Sequence, residues 1–245
     1  MTRLNNRRPH FRLLGLAAAV FTLPAQAGDF NAIGLLTQAE FREFSKDVGA
    51  AASYKGLVPA ESMGLTGFDV SLALGATEVA NRGVLRKAAS GSSIPSAVPS
   101  VSLRAIKGLP FNIDVGASLT RLPGTGVQAI GGEVRWAFVE GGAVTPAVAA
   151  RLALSNLSGL DQLKLRTQSL DISTSKGFGP LTPYAGIGVV RVSASAPGTT
   201  LSRESSSLSK VFAGLNVAYA PLALGFEIDK TGSATSYGVK AAVRW

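Results

Sequence analysis

From residue 47 onward the chain alternates between apolar and polar or small positions. Val48, Ala50, Ala52 and Tyr54 stand against Asp47, Gly49, Ala51, Ser53 and Lys55, and Phe68, Val70, Leu72 and Leu74 against Asp69, Ser71, Ala73 and Gly75. The same period of two returns at 101–105, 111–120, 130–138, 148–154, 163–172, 184–193 and 211–219. It is clearest at the end of the chain. There Leu222, Leu224, Phe226 and Ile228 oppose Gly225, Glu227 and Asp229. After a polar turn at 230–234, Tyr237, Val239, Ala241, Val243 and Trp245 oppose Gly238, Lys240, Ala242 and Arg244. Successive strand residues point to opposite faces, so this period predicts two-faced strands. Eleven such runs can be counted, separated by Gly- and Pro-bearing turns such as 108–110, 123–126, 140–142, 177–180 and 220–221. One run is out of phase: Leu163 and Leu165 oppose Lys164, Arg166 and Gln168, whereas Leu170 and Ile172 fall in the other register. A bulge near Ser169 is expected to realign them.

One stretch reads as a helix. Thr37 with Glu40 three residues on forms a capping box, and Phe41 and Phe44 fall on one side of the turn that follows. Residues 28–46 are therefore expected to be an N-terminal segment with a short helix, and 47–245 the strand-bearing body. Ahead of them, Arg3, Arg7, Arg8 and Arg12 precede an apolar run from Leu13 to Leu23 and then Ala25-Gln-Ala27. A basic start, an apolar stretch and a small-residue cleavage site predict a signal peptide over 1–27, cut before Gly28. The run is too short to span a bilayer. The Arg7-Arg8 pair also suits a twin-arginine signal, but an ordinary basic start accounts for it.

Removing that segment changes the charge and the chemistry. The formal net charge is +9, from 24 basic and 15 acidic residues; four of the basic ones lie in the signal, which leaves +5. The remaining basic residues form no cluster of the kind nucleic acid requires. There is no Cys, and the one His, His10, lies in the signal. Thiolate or histidine catalysis and Cys or His metal sites are thereby excluded from the mature chain, and no cofactor is expected. The Gly pairs at 124–126 and 141–142 sit in turns, and no phosphate-binding loop is present. The expectation is a protein that is not an enzyme.

A last strand that ends on an aromatic, with small or charged residues facing the other way, suits a wall between lipid and a wet lumen. This ending, closed by Trp245, resembles that of Gram-negative outer-membrane β-barrels, whose final strand finishes on Phe or Trp. The resemblance implies an all-β, closed antiparallel transmembrane barrel located in the bacterial outer membrane and surrounded by its lipid. It also implies that Trp245 is the C-terminal signal read by the barrel-assembly machinery. It is a resemblance to the general class and carries no activity with it. Such barrels have even strand numbers. Eleven runs become about twelve if 29–36 adds one, and ten if one run is not a strand; twelve is the expectation and ten the alternative, with the helix in or near the lumen. Counting back from a periplasmic C-terminus puts the short turns inside and the long connections 81–99 and 194–207 outside, both expected to be exposed loops. Tyr54, Phe111, Trp136, Phe138, Tyr184, Tyr219, Tyr237 and Trp245 are expected as anchors at the bilayer interface.

The polar faces then line the lumen. Arg104, Asp114, Glu133, Arg135, Arg151, Arg166, Arg191, Lys210, Glu227 and Lys240 are expected there, together with Asp47, Lys55, Asp69, Lys164, Asp229 and Arg244. That is ten basic groups against six acidic ones. Either they neutralise one another in a filled interior, or they line a narrow channel with a mild preference for anions. The expected function is a narrow pore or a carrier for small or apolar molecules. The alternative is a structural or surface-interaction barrel with a filled lumen and exposed loops. Hydrolysis by the same-face carboxylates Glu227 and Asp229 is the remaining, weakest reading.

Overall fold

The structure is a computed structural model that describes residues 30–91 and 94–245. The expected signal peptide and its cleavage site lie outside those residues. Ten strands form a closed antiparallel barrel: β1 (Phe68–Glu78), β2 (Ala97–Leu109), β3 (Ile113–Arg121), β4 (Gln128–Val139), β5 (Ala147–Ser158), β6 (Lys164–Ser175), β7 (Leu181–Ser195), β8 (Glu204–Tyr219), β9 (Leu222–Thr231) and β10 (Ala234–Arg244). Each strand pairs with its neighbours in sequence, and β1 pairs with β10 from Asp69↔Arg244 to Glu78↔Thr235. Closure leaves no strand edge unpaired, which a hydrocarbon environment demands. The outer face is apolar to match. Leu72 on β1, Ile130 on β4, Leu152 on β5, Ile187 on β7, Val211 on β8 and Ile228 on β9 all lie exposed, the belt of a transmembrane barrel.

The strand number is ten, the alternative count, and not twelve. Among the described residues, 30–36 add no strand; in them Ile33–Leu35 forms a short 3-10 turn. The expected strand at 47–55 is instead the end of helix α1 (Gln38–Ala52) and the chain that leaves it. Val48, Ala50 and Ala52 satisfy a period of two and a helical period equally, and short apolar runs cannot separate the two. The start decides the outcome. Thr37 Oγ1 accepts from the Glu40 N–H at 3.3 Å and Glu40 Oε2 from the Thr37 N–H at 2.7 Å, and Ala-rich sequence then propagates the helix.

Helix α1 lies inside the barrel against β6, β7 and β8. It begins at the end where α2 (Arg82–Ala88) caps the connection between β1 and β2, hereafter the α2 end. Residues 53–66 carry the chain on to the opposite end. There Phe68 and Trp245 exchange backbone hydrogen bonds of 2.7 and 3.1 Å, and their rings lie 5.1 Å apart. Residues 81–99, expected as an irregular exposed loop, therefore contain a helix whose Leu85 and Ala88 are buried against α1 and the 3-10 turn. The other connection expected to be long shrinks to 196–203, because β7 and β8 extend further than the alternation alone indicates.

The register of β6 and β7 also differs from expectation. No bulge occurs at Ser169, and the pairing of β6 with β7 runs unbroken from Lys164↔Ser195 to Ser175↔Tyr184. Leu165, Thr167, Ser169 and Asp171 face inward; Lys164, Arg166, Gln168 and Leu170 face outward. On β7, Tyr184, Val190 and Val192 are buried inside, and Arg191 is exposed. The reason is the helix. At the α2 end the lumen is packed by Phe41, Phe44 and Ala50 of α1 against Leu163, Leu165, Val190, Val192 and Leu208 of the wall. The apolar face of β6 and β7 there turns toward protein and not toward lipid.

Candidate functional site in the barrel lumen

The inward side chains divide the lumen into two storeys. The storey at the α2 end is the apolar packing around α1. The storey toward Trp245 is ionic and surrounds residues 53–63, which cross it as irregular chain without a strand partner. A backbone buried in that way must still satisfy its N–H and C=O groups. The wall does it with charges. Lys210 Nζ donates to Tyr54 O at 3.1 Å, Arg104 Nη2 to Gly56 O at 2.9 Å, and Arg135 to Pro59 O and, at 3.1 Å, to Glu61 O. In the other direction the Leu57 N–H donates to Glu227 at 3.0 Å, the Ala60 N–H to Ser175 Oγ at 3.0 Å and the Met63 N–H to Asp114 at 3.0 Å. The helix end is held likewise. Lys55 Nζ reaches the Ala50 carbonyl at 3.2 Å, where the helix dipole favours a cation, and Asp229 at 2.6 Å. A Cβ at Gly56 would lie 1.5 Å from Arg151 Nη1, so a larger residue there would have to displace the guanidinium from its pairing with Asp171.

The charges also pair with one another. Arg135 binds Asp114 at 2.6 Å, Arg151 binds Asp171 at 2.7 Å and faces Glu133 at 3.7 Å, and Lys210 binds Asp171 at 3.3 Å and faces Asp229 at 3.8 Å. Lys240 and Arg244 share Asp69 at 3.1 and 3.0 Å. Glu227 accepts from the Tyr184 hydroxyl at 2.9 Å as well as from Leu57. Asp47, on α1, accepts from the Asn81 N–H at 2.7 Å and so ties the helix to the start of α2.

Of the residues expected in the lumen, Arg104, Asp114, Glu133, Arg135, Arg151, Lys210, Glu227 and Lys240 are buried inside the barrel, as are Asp69 and Asp229. Arg166 and Arg191 are not brought to this site, and neither is Lys164. All three are exposed on the outer wall near the α2 end, because the apolar face of their strands turns inward there. Asp171, absent from the expected set, joins the lumen, since Leu165, Thr167, Ser169 and Asp171 form one continuous inward phase. With three cations removed and Asp171 added, the expected set becomes seven basic and seven acidic groups, and the buried Glu204 on β8 adds a further acid. The excess of cations, the basis for anion preference, is gone. Tyr54 and Tyr184 are not interface anchors either, since both are buried in the lumen. Phe111, Trp136, Phe138, Tyr219, Tyr237 and Trp245 stand exposed on the outside.

One part of the lumen is left open. Between α1 and the wall made by β10 and β1 to β5 lies a cavity of about 100 Å³, many times what one water molecule needs, roughly 10–15 Å³. Phe30, Leu85, Val98, Leu122 and Leu160 line it at the α2 end, small residues such as Ser100, Ser102, Thr120 and Ala129 form its side, and Tyr54, Lys55, Arg104, Glu227 and Asp229 form its floor. Among the described residues no group of three or more His, Cys, Asp or Glu is placed to hold a metal. Glu227 and Asp229 are each engaged as above, not arranged as a hydrolytic pair.

The sequence matches no family model and no curated protein. Among solved structures, the fold is similar to the N-terminal β-barrel domain of Pseudomonas aeruginosa OprF, with a TM-score of 0.38 at 11% identity over 72% of this chain and 97% of that one. It is also similar to the KdgM porin, with 0.38 at 8% identity over 71% and 98%, and to the Acinetobacter baumannii outer membrane protein Omp33, with 0.33 at 8% identity over 74% and 100%. At such identities the likeness concerns the barrel architecture alone.

Proposed function

We propose that this chain is an outer-membrane β-barrel that binds small, largely apolar molecules in its lumen from the α2 end, as a carrier and not as an open pore. The observation that carries the reading is the cavity beside α1: it is lined by apolar and small side chains, and its floor is closed by the segment 53–63 and the charges that grip it. Ligand sites have this form, concave and mainly apolar with a few placed polar groups. In this reading the outer belt meets membrane lipid, and the terminal strand with Trp245 is what the assembly machinery engages.

A second reading, a structural barrel with a filled lumen, is favoured by the ion pairing of the buried lumen charges, which is what interior neutralisation requires. Two measurements on the full barrel in lipid nanodiscs and planar bilayers separate the readings. A carrier binds octan-1-ol and conducts no steady current. Steady open-channel conductance of the wild type overturns the occluded lumen, and absence of octan-1-ol binding leaves the structural barrel. Ala129→Phe, which fills the cavity from β4, abolishes binding if the cavity is the site.

A further inference from the structure

We infer that the lumen cavity takes an amphipathic carboxylate, with its anionic head on Arg104 and Tyr54 and its apolar body along α1 toward the α2 end. This rests on the reading of the cavity as a ligand site and adds the chemical class of the ligand. Arg104 is the exception among the buried cations. Arg135, Arg151, Lys210 and Lys240 each have an aspartate oxygen within 3.3 Å. Arg104 is 3% exposed, and no carboxylate among the described residues forms an ion pair with it. Its Nη2 donates to the Gly56 carbonyl, and its guanidinium lies 4.7 Å from the centre of the Tyr54 ring. Its Nε is buried with no partner. The Tyr54 hydroxyl is also buried without one. Both residues line the floor of the cavity.

Two unsatisfied groups able to donate, one of them on a cation, define their complement. Buried charges are stable when paired, and buried N–H and O–H groups when bonded. A carboxylate supplies one negative charge and two acceptor oxygens, and guanidinium recognises it through charge-assisted hydrogen bonds. The carboxylates already on the floor do not fill the role. Asp229 is held by Lys55 and faces Lys210, and Glu227 accepts from Leu57 and Tyr184. Glu133, which lies off the cavity, faces Arg151 at 3.7 Å; its oxygens lie near the Tyr54 hydroxyl, yet they and that hydroxyl are all buried without a hydrogen-bond partner. The body of the ligand follows from the walls. Val98, Ser100, Ser102 and Arg104 alternate inward along β2, so the head lies six residues, roughly 20 Å of strand at about 3.3 Å each, from the apolar rim. An alkyl chain fits between an Arg at one end and Phe30, Leu85 and Leu122 at the other.

The test uses the full chain folded in nanodiscs, with [1-13C]octanoate, octan-1-ol and octyl phosphate as probes and heat-modifiable mobility as the folding control. Wild type is expected to bind octanoate more tightly than octan-1-ol, with a separate bound carboxyl resonance. Arg104→Gln should weaken octanoate about tenfold or more, the loss of a charge-assisted pair, and leave octan-1-ol unchanged. Should Arg104→Gln not fold, Tyr54→Phe carries the same contrast: a severalfold loss of octanoate affinity with none for octan-1-ol. Octanoate binding that ignores both substitutions overturns the assignment of the head. Tighter binding of octyl phosphate than of octanoate overturns the carboxylate class. Octan-1-ol bound as well as octanoate sinks this inference and leaves the carrier reading standing. Binding of none of the three probes removes both.

Discussion

Replacing Asp171 with Asn, beside replacements of Arg166 and Arg191, tests which way β6 and β7 face. The side chain is 1% exposed, and its Oδ2 accepts from Arg151 Nη2 at 2.7 Å, Arg151 Nε at 3.0 Å and Lys210 Nζ at 3.3 Å. Asparagine keeps the shape and removes the charge, leaving two buried cations short of a partner. Removing one member of a buried pair costs about 3–5 kcal/mol. Here the lower end applies, since Arg151 keeps Glu133 at 3.7 Å and Lys210 keeps the Tyr54 carbonyl at 3.1 Å. A loss of about 3 kcal/mol is roughly a hundredfold in the folding equilibrium. Urea-dependent folding into lipid vesicles, read by heat-modifiable mobility and Trp fluorescence, measures it. Arg166→Gln and Arg191→Gln are the controls. Exposed on the outer wall, they should each fall within about 0.5 kcal/mol of wild type. A bulge at Ser169 that set Leu165 and Leu170 on one face would turn Arg166 inward as well, and replacing the arginines would then be costly too. A cost below about 1 kcal/mol for Asp171→Asn refutes the buried three-way pairing. A cycle with Lys210→Met should further return a coupling of about 0.5–3 kcal/mol.

Other consequences can be measured in the same system. At Gly49 a Cβ would lie 2.5 Å from both Val192 methyl carbons, so Gly49→Ala should destabilise by about 1–3 kcal/mol despite its gain in helix propensity, and Val192→Ala should suppress the effect. The Glu40 carboxyl is held down at about 2, first by the hydrogen bond from Lys87 and then by the Thr37 N–H. A lowered folded value means that its contribution to docking α2 on α1 is complete above the ordinary carboxylate range and fades as pH falls toward 2. Carboxyl 13C shifts should therefore show Glu40 titrating near 2 in the wild type and closer to its ordinary value in Lys87→Met. Trp245→Ser removes the ring that stacks near Phe68 and should lower the yield of folded, heat-modifiable barrel; an unchanged yield argues against a signal at this end. Because the chain has no Cys, single cysteines at Arg82 and at Phe178 should label from opposite sides of the membrane, with Arg82 reacting on intact cells.

Local chemistry made much of this barrel legible. In the terminal hairpin the period of two is unbroken, and the register found, Tyr237↔Ile228 to Val243↔Leu222, follows from alternation on either side of one short turn. The capping box likewise announced α1 at Thr37, since both of its hydrogen bonds lie within four residues. The direction of a face was another matter. Alternation separates Leu165 from Arg166 and Val190 from Arg191, but it cannot say which of each pair points inward. A wall with lipid on one side and a packed helix on the other has two apolar faces at the same height. Only the placement of α1 against β6 to β8 resolved that, and with it the outward turn of Arg166 and Arg191. The same holds for the run from Val48 to Tyr54, which satisfies two periods until the lumen supplies a surface for one of them. The lumen charges were legible as a set, because charge on a strand's small-residue face must avoid lipid. Their task of gripping the backbone of residues 54–63, and the cation at Arg104 left without a carboxylate, depend on contacts between residues far apart in the chain, and those exist only once the barrel has closed around its own N-terminal segment.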